Sequence, residues 1–433
     1  MKEDSFRKGV YMEEKPLNIA VLGLGSVGSK TVELLEQHQE RIQQKIKRPV
    51  RVKWALVRST TQTDKIKLAK RFDVLLTDSI DSILHDSEVE LVIELLGRIE
   101  PAKTYIEACL AHKKSVITAN KDLIATHGVT LQELACKQNV ALLYEASVGG
   151  GIPIIHTLRQ QFAFDPIIQL TGILNGTTNF ILTKMLEEDL SYEHALSLAQ
   201  ELGYAESDPF NDVSGTDAAY KLLVLAQVAY GVSPKLSQIH LTGIESLTKE
   251  SLQVAKQFGY KIKLLNRLTY RQQAFELIVA PMLLEEHQLL AQIDQETNAL
   301  MIQSTQIGTT FLSGPGAGAA PTASSVLTDI FVYATSSTSS HYVSDQDVAV
   351  EAYPKQYGIF FKQPTRVKKF TNEQLDWIET IEHKEIHEQT YTMVTTKKIL
   401  SEEKTQLVEQ IESITPVLMC LDRIESTEKE GGQ

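Results

Sequence analysis

The sequence predicts an α/β protein with a doubly wound parallel sheet at its N-terminal end, an α+β middle part and a small α+β tail. Three observations carry this prediction. Short apolar runs alternate with helix-spaced segments over the first 145 residues. A glycine-rich turn separates the first apolar run from the first helix. The regular alternation stops near residue 150.

The first strand spans 17–22, the apolar run LNIAVL, and ends in glycine. Residues 26–47 have helical spacing, with Val27, Leu34, Leu35 and Ile42 set among Glu, Gln and Lys. Strands follow over 50–57, 89–95, 115–119 and 141–144, with helices at 101–111 and 130–137 between them. Residues 1–150 thus form the first domain. The second, 151–345, holds a strand over 167–174, helices over 191–202 and 215–230, and a strand over 274–283. Its glycine-rich turn, 314–318, leads into a helix near Thr322, and Pro321 suits a helix start. That helix is expected to return to the first domain. The tail, 350–428, reads strand 357–361, helix 373–381, strand 388–395, helix 402–411, strand 416–421. The Ser-rich stretch 335–340 reads as a surface loop, and 1–15 and 425–433 read as disordered ends.

Composition narrows the class. Hydrophobic residues make up 42% and charged residues 23%, as in ordinary globular chains. The net charge of -12 argues against nucleic acid or an anionic membrane as main partner. The cysteines, Cys109, Cys136 and Cys420, are far apart and odd in number, which fits a reducing compartment rather than a disulfide framework. Residues 1–15 lack the apolar core of a signal peptide, and no run of about 20 apolar residues exists to span a bilayer. A cytoplasmic location is expected.

Four motifs carry chemistry. Gly23-Leu24-Gly25-Ser26-Val27-Gly28 is a G-x-G-x-x-G turn, a weak signal alone. Here it follows a strand and opens a helix, where glycines admit a pyrophosphate and the helix N-terminus attracts it. The next strand ends Val57-Arg58-Ser59, without the acid that binds an NAD ribose. Arg58 suits a 2′-phosphate, which points to NADP, with NAD still possible. Thr118-Ala119-Asn120-Lys121 ends another strand on the ligand side of the sheet, where Lys121 faces either the cleft or plain solvent. In Glu145-Ala146-Ser147-Val148-Gly149-Gly150-Gly151-Ile152, the glycines form a hinge or present carbonyls to a hard cation. Finally, Gly203-Tyr204-Ala205-Glu206-Ser207-Asp208 precedes Asp212, Asp217 and Lys221. Asp217 and Lys221 share a helix face that continues to apolar Leu225. They form either a surface ion pair or a buried pair. Burial lowers a lysine's pKa and a carboxylate raises it, so a buried pair is one way to poise Lys221 for proton transfer.

Together these strings resemble the homoserine dehydrogenases. The resemblance covers about residues 17–345 and rests on GLGSVG (23–28), ITANKDLIATHG (117–128), YEASVGGGIPII (144–155), GILNGTTNFIL (172–182), AQELGYAESDPFNDVSGTDAAYKL (199–222) and GPGAGAAPTASSVLTD (314–329). It implies an NAD(P)-dependent oxidoreductase with a Rossmann domain, a substrate and dimerisation domain and an ACT-like tail. The implied reaction is interconversion of homoserine and aspartate semialdehyde in threonine and methionine biosynthesis, by a homodimer or homotetramer. Lys221 is implied as proton donor and acceptor, with Lys121 a second lysine beside it. Glu206, Asp208, Asp212 and Asp217 are implied as substrate-binding carboxylates. Cofactor contacts fall on Gly23, Gly25, Ser26, Val27, Gly28, Arg58, Gly97, Thr118, Lys121, Gly203 and Gly316. Backbone carbonyls of Glu145, Val148, Gly150 and Ile152 are implied as ligands of a monovalent cation, sodium or potassium. Three departures stand out: Arg98 and Ser59 replace a common glycine and acid, and the tail reads one strand short, without the effector-binding glycine loop after 357–361. A structural or dimerising tail is expected. Two rivals are a dehydrogenase of another amino-acid substrate and an idle NADP-binding regulator. The Glu206–Lys221 string disfavours the first, and the intact lysines disfavour the second.

Overall fold

A computed structural model describes residues 15–336, 348–363, 372–413 and 417–424. The expected disordered ends, apart from Lys15, and most of the Ser-rich stretch lie outside the described residues. The chain forms two units. The first runs to Gly151 and takes up again at Gly318, and the second begins at Ile152 and includes the tail.

In the first unit the order is β1 (Leu17–Leu22), α1 (Ser26–Gln37), α2 (Gln39–Ile46), β2 (Val50–Leu56), α3 (Thr63–Phe72), β3 (Leu75–Thr77), α4 (Asp81–Leu84), β4 (Val89–Glu94), α5 (Ile99–Ala111), β5 (Ser115–Thr118), α6 (Lys121–Gln138) and β6 (Leu142–Leu143). The sheet order is β3-β2-β1-β4-β5-β6, all parallel. Every residue of β1 is buried, as a central strand covered on both faces requires. Strand order reverses between β1 and β4, the switch point beyond which open α/β sheets bind ligands.

Three local readings change. The segment 26–47 is two helices, because His38 (φ −109°, ψ 16°) leaves the helical region. The reset lets Ile46 join the core that Val32 and Leu35 enter from α1. Helix α6 begins nine residues earlier than residue 130. Its first half contains Thr126, Gly128 and Val129, weak helix formers, but Asn120 caps it and Leu123 and Ile124 are fully buried. Helix α3 and strand β3, polar and short, were not legible.

The second unit comprises α7 (Ile154–Gln160), β7 (Ile167–Ile173), α8 (Gly176–Glu187), α9 (Tyr192–Glu201), α10 (Phe210–Val213), α11 (Thr216–Tyr230), β8 (His240–Leu241), α12 (Lys249–Gln257), β9 (Tyr260–Arg271), β10 (Ala274–Glu285), β11 (Thr297–Ser304) and β12 (Thr309–Pro315). Helix α13 (Ala319–Thr335) belongs to the first unit, where Val326 and Ile330 enter the core. The tail adds β13 (Tyr357–Lys362), α14 (Asn372–Trp377), β14 (Ile378–Ile386), β15 (Gln389–Thr396), α15 (Ser401–Glu412) and β16 (Val417–Arg423). One sheet of the second unit runs β12-β11-β7-β9-β10-β16-β13-β15-β14, with β8 also on β10. The tail joins it where Met282 and Leu283 pair in parallel with Asp422 and Arg423.

The tail corrects the sequence reading. The helix expected over 373–381 ends at Trp377, and Ile378 starts the strand that seemed to be missing. The tail is therefore βαββαβ. Strand β14 is a sheet edge whose middle residues are exposed, so burial leaves no alternating pattern in IETIEHKEI. Its isoleucines at 378 and 381 are three apart and imitate a helix face. The departing loop after β13 lies mostly outside the described residues. Among the described residues no helix is long and apolar enough to cross a membrane.

Candidate functional site

The glycine turn lies at the switch point of the first unit. Gly23 N–H donates to Leu56 O (3.0 Å) and Leu95 N–H to Leu22 O (2.9 Å), so β1, β2 and β4 end side by side. A Cβ on Gly28 would sit 2.0 Å from Gly23 O, whereas one on Gly25 would meet nothing within 4 Å. The first contact lets α1 pack against the turn, and the second leaves room above it for a ligand. Ser26 and Val27 open α1, whose first turn carries no acid, so its free N–H groups suit an anion. Arg58 is exposed just after β2. Sequence reasoning missed Lys65. Its ammonium donates to Leu24 O of the glycine turn and pairs with Asp64 at 3.1 Å.

A second set of contacts braces the ends of β4 and β5. Glu94 is fully buried, and its carboxylate accepts Leu96 N–H (2.6 Å) and Thr118 Oγ1 (2.5 Å). Burial pushes this carboxyl above its usual range, against the pull of those hydrogen bonds. Thr118 Oγ1 accepts Asn120 N–H (3.0 Å), and Asn120 Oδ1 accepts Leu123 N–H (3.2 Å) at the start of α6. Gly97 follows β4 with φ +76°, and Asn120 Nδ2 donates to Arg98 O (2.8 Å). Lys121 is the first residue of α6, part-exposed and 3.3 Å from Asp122.

In the second unit Asp217 and Lys221 occupy the first two turns of α11. Their side chains are 13% and 12% exposed and pair at 2.7 Å, so this is not the surface salt bridge that the spacing also allowed. Lys221 Nζ also donates to Leu174 O (2.6 Å), just past β7. Asp212, in α10, joins them through Asn175, whose Nδ2 donates to Asp212 Oδ1 (2.7 Å) and Asp217 Oδ2 (2.9 Å). Asn175 was not singled out from the sequence. Buried Asn266 of β9 donates to Ala218 O (2.6 Å) and braces α11 from below.

The remaining residues take other places. Glu206 and Asp208 are exposed on the loop after α9, and Asp208 Oδ1 accepts Phe210 N–H (3.2 Å) at the start of α10. That loop, which begins at Gly203, is tied to α8 by Thr177 Oγ1 donating to Tyr204 O (2.6 Å). Gly316 follows β12, and a Cβ there would overlap the Asn298 side chain at 2.0 Å. Asn298 is 1% exposed, and its Oδ1 has no partner among the described residues. Glu145, Val148 and Gly150 are buried at the end of the first unit, and Ile152 opens the second. Glu145 N–H donates to buried Asp329 (2.9 Å), Gly150 O accepts Ser325 Oγ (2.6 Å), and Ile152 O accepts Ile154 N–H (2.8 Å).

A β3-β2-β1-β4-β5-β6 parallel sheet with a glycine turn at its switch point is how a dinucleotide is held. This is the build of a nicotinamide-dependent oxidoreductase. Residues 153–331 match the homoserine dehydrogenase family model, and 23–145 match the model of the homoserine dehydrogenase NAD binding domain. The chain is 44% identical over 315 residues to the homoserine dehydrogenase of Lactococcus lactis, covering 72% of this chain and 73% of that one. The crystal structure of a homoserine dehydrogenase from Thiobacillus denitrificans superposes with a TM-score of 0.84 at 31% identity, over 95% of this chain and 99% of that one. A hyperthermophilic archaeal homoserine dehydrogenase in complex with NADPH has a TM-score of 0.62 at 26% identity, over 73% of this chain and 97% of that one. The chain belongs to the homoserine dehydrogenase family, as its sequence resemblance implied. Its activity is the NAD(P)-dependent interconversion of L-homoserine and L-aspartate 4-semialdehyde, a step of threonine and methionine biosynthesis.

Proposed function

We propose that Lys221 moves the proton at the substrate oxygen and that the favoured cofactor is NADP. One observation carries the first part. Of the three N–H donors of the Lys221 ammonium, Leu174 O holds one and Asp217 one, which among the described residues leaves one for a substrate oxygen. A reduced nicotinamide, when bound, supplies the hydride for the aldehyde carbon. Lys221 then gives its proton to the oxygen, and its charge steadies the alkoxide as it forms. Lys121 adds positive charge from the start of α6. Glu206, Asp208, Asp212 and Asp217 are the carboxylates for the substrate ammonium, with Asp208 also accepting Phe210 N–H ahead of α10.

Gly23, Gly25, Ser26, Val27, Gly28, Gly97 and Thr118 line the dinucleotide end, and Gly203 and Gly316 are the cofactor contacts of the second unit. The NADP preference is supported by Arg58 after β2, by Ser59 in place of an acid, and by Lys65 on the glycine turn. The carbonyls of Glu145, Val148, Gly150 and Ile152 are the hard oxygen ligands for sodium or potassium, a reading supported by the family resemblance and by the buried Asp329 carboxylate that accepts Glu145 N–H. The family resemblance supports a cytoplasmic homodimer or homotetramer. The βαββαβ tail, strand order 4-1-3-2 within itself, supports an ACT-like module with a structural role. The test is Lys221→Ala. Turnover of aspartate semialdehyde should fall by about a hundredfold or more while NADPH binding stays close to that of the parent. A mutant that keeps most of its kcat would remove Lys221 from the proton step.

A further inference from the structure

We infer that Asn175 is a positioning residue that keeps Asp212 and Asp217 ionised side by side and thereby fixes Lys221. The inference rests on the proton-transfer reading of Lys221. Asn175 is 3% exposed and caps α8: its Oδ1 accepts Thr178 N–H (2.8 Å) and Thr178 Oγ1 (3.0 Å). A backbone N–H only donates, so the capping atom must be the oxygen and the opposite atom the NH2. That NH2 is a two-armed donor, one arm on Asp212 Oδ1 (2.7 Å) and one on Asp217 Oδ2 (2.9 Å). The same Asp217 oxygen accepts Lys221 Nζ (2.7 Å), and the residue before Asn175 supplies the other Lys221 acceptor, Leu174 O. One turn of chain thus fixes both partners of the lysine.

Beside the fork stand the charged groups Asp212 of α10 and Asp217 and Lys221 of α11, and the first turn of α8 carries no acid. On the elements packed against them, Lys184 pairs with Glu188, Lys263 with Asp294 and Arg267 with Glu276 and Asp422, and α7 adds His156 and Arg159. Glu206 and Asp208, on the loop tied to α8, are exposed. Two carboxylates close together raise each other's affinity for a proton, and a shared neutral donor offsets that repulsion. Without the fork, Asp217 takes up a proton more readily and turns away from Lys221.

Asn175→Asp tests this, because aspartate caps a helix as well as asparagine but places a third carboxylate oxygen where the donor stood. The acid limb of the kcat–pH profile should move up by about one unit, and kcat near neutrality should fall by about tenfold or more. Its melting temperature should lie furthest below the parent's at about pH 8 and recover toward the parent by about pH 5, as the crowded carboxylates protonate. Asn175→Ser keeps a capping oxygen without the two-armed donor. It should lose about tenfold in kcat with unchanged NADPH affinity, and it decides the matter if the aspartate variant does not fold at either pH. A parent-like kcat in the serine variant, or a pH profile and a melting gap in the aspartate variant that do not depend on the extra charge, would overturn the inference. A parent protein inactive on homoserine would sink the proton-transfer reading instead, and the melting comparison would still judge Asn175.

Discussion

At the scale of single residues, what was legible depended on how far apart in sequence the partners lie. Asp217 and Lys221 are four residues apart on a helix whose face continues to fully buried Leu225, so periodicity marked them as a pair, and only the fold decided between a surface pair and a buried one. Asn175 was hidden because its carboxylate partners stand 37 and 42 residues away, and only the cap in Leu174-Asn175-Gly176-Thr177-Thr178 gave a local hint. Lys65 was hidden for the same reason, 41 residues from the carbonyl it binds. Arg58 and Lys65 carry a prediction at this scale. Converting both to alanine should raise KM for NADPH by about ten- to a hundredfold, because a phosphate loses two charged donors, and should change KM for NADH by less than about threefold. Steady-state kinetics with the two cofactors gives the answer, and equal losses for both would exclude a 2′-phosphate role.

At the scale of elements, burial decided legibility. Strand β1, buried at every position, was read to the residue, while the start of β14, exposed on an edge, was read as the end of a helix. The turn between β11 and β12 shows how one side chain secures an element. Buried Asp165 accepts Thr305 Oγ1 (2.9 Å), Gln306 N–H (2.9 Å) and Ile307 N–H (2.8 Å). Burial works to raise this carboxyl, but hydrogen bonds from Ser304, Ile307, Gln306 and Thr305 outweigh it and hold it at about 2. A depressed carboxyl stabilises the fold above its unfolded value and loses that contribution as pH falls toward its folded value. Asp165→Ala should therefore be less stable than the parent near neutrality, and the gap should close between pH 3.8 and about 2. Urea unfolding at several pH values measures it, and a gap that stays constant down to the acid end would contradict the assignment.

For the whole molecule, the family was legible because the glycine turn of the dinucleotide half and the Glu206–Lys221 string are local patterns. The attachment of the tail was not, since it depends on two residue pairs far apart in sequence. Arg267 of β9 and Lys355 contact both Glu276 of β10 and Asp422 of β16, at 2.9–3.6 Å, with the Arg267 side chain only 9% exposed. Asp422→Ala leaves two part-buried cations to one carboxylate and should cost about 1–3 kcal/mol. Chemical denaturation checks the size, limited proteolysis should show earlier cutting in the tail, and parent-like behaviour in both would show that these charges do not hold it.

The pairing of β16 with β10 has one more consequence. Opposite β9, the edge of β10 is covered by β8 at Ile278 and Val279 and by β16 at Met282 and Leu283. The tail therefore works as a guard rail. A chain cut before residue 348 would present the N–H and C=O groups at Met282 and Leu283, flanked by buried apolar side chains, as a template for strands of other molecules. Its first symptom would be clumping, before any loss of catalysis.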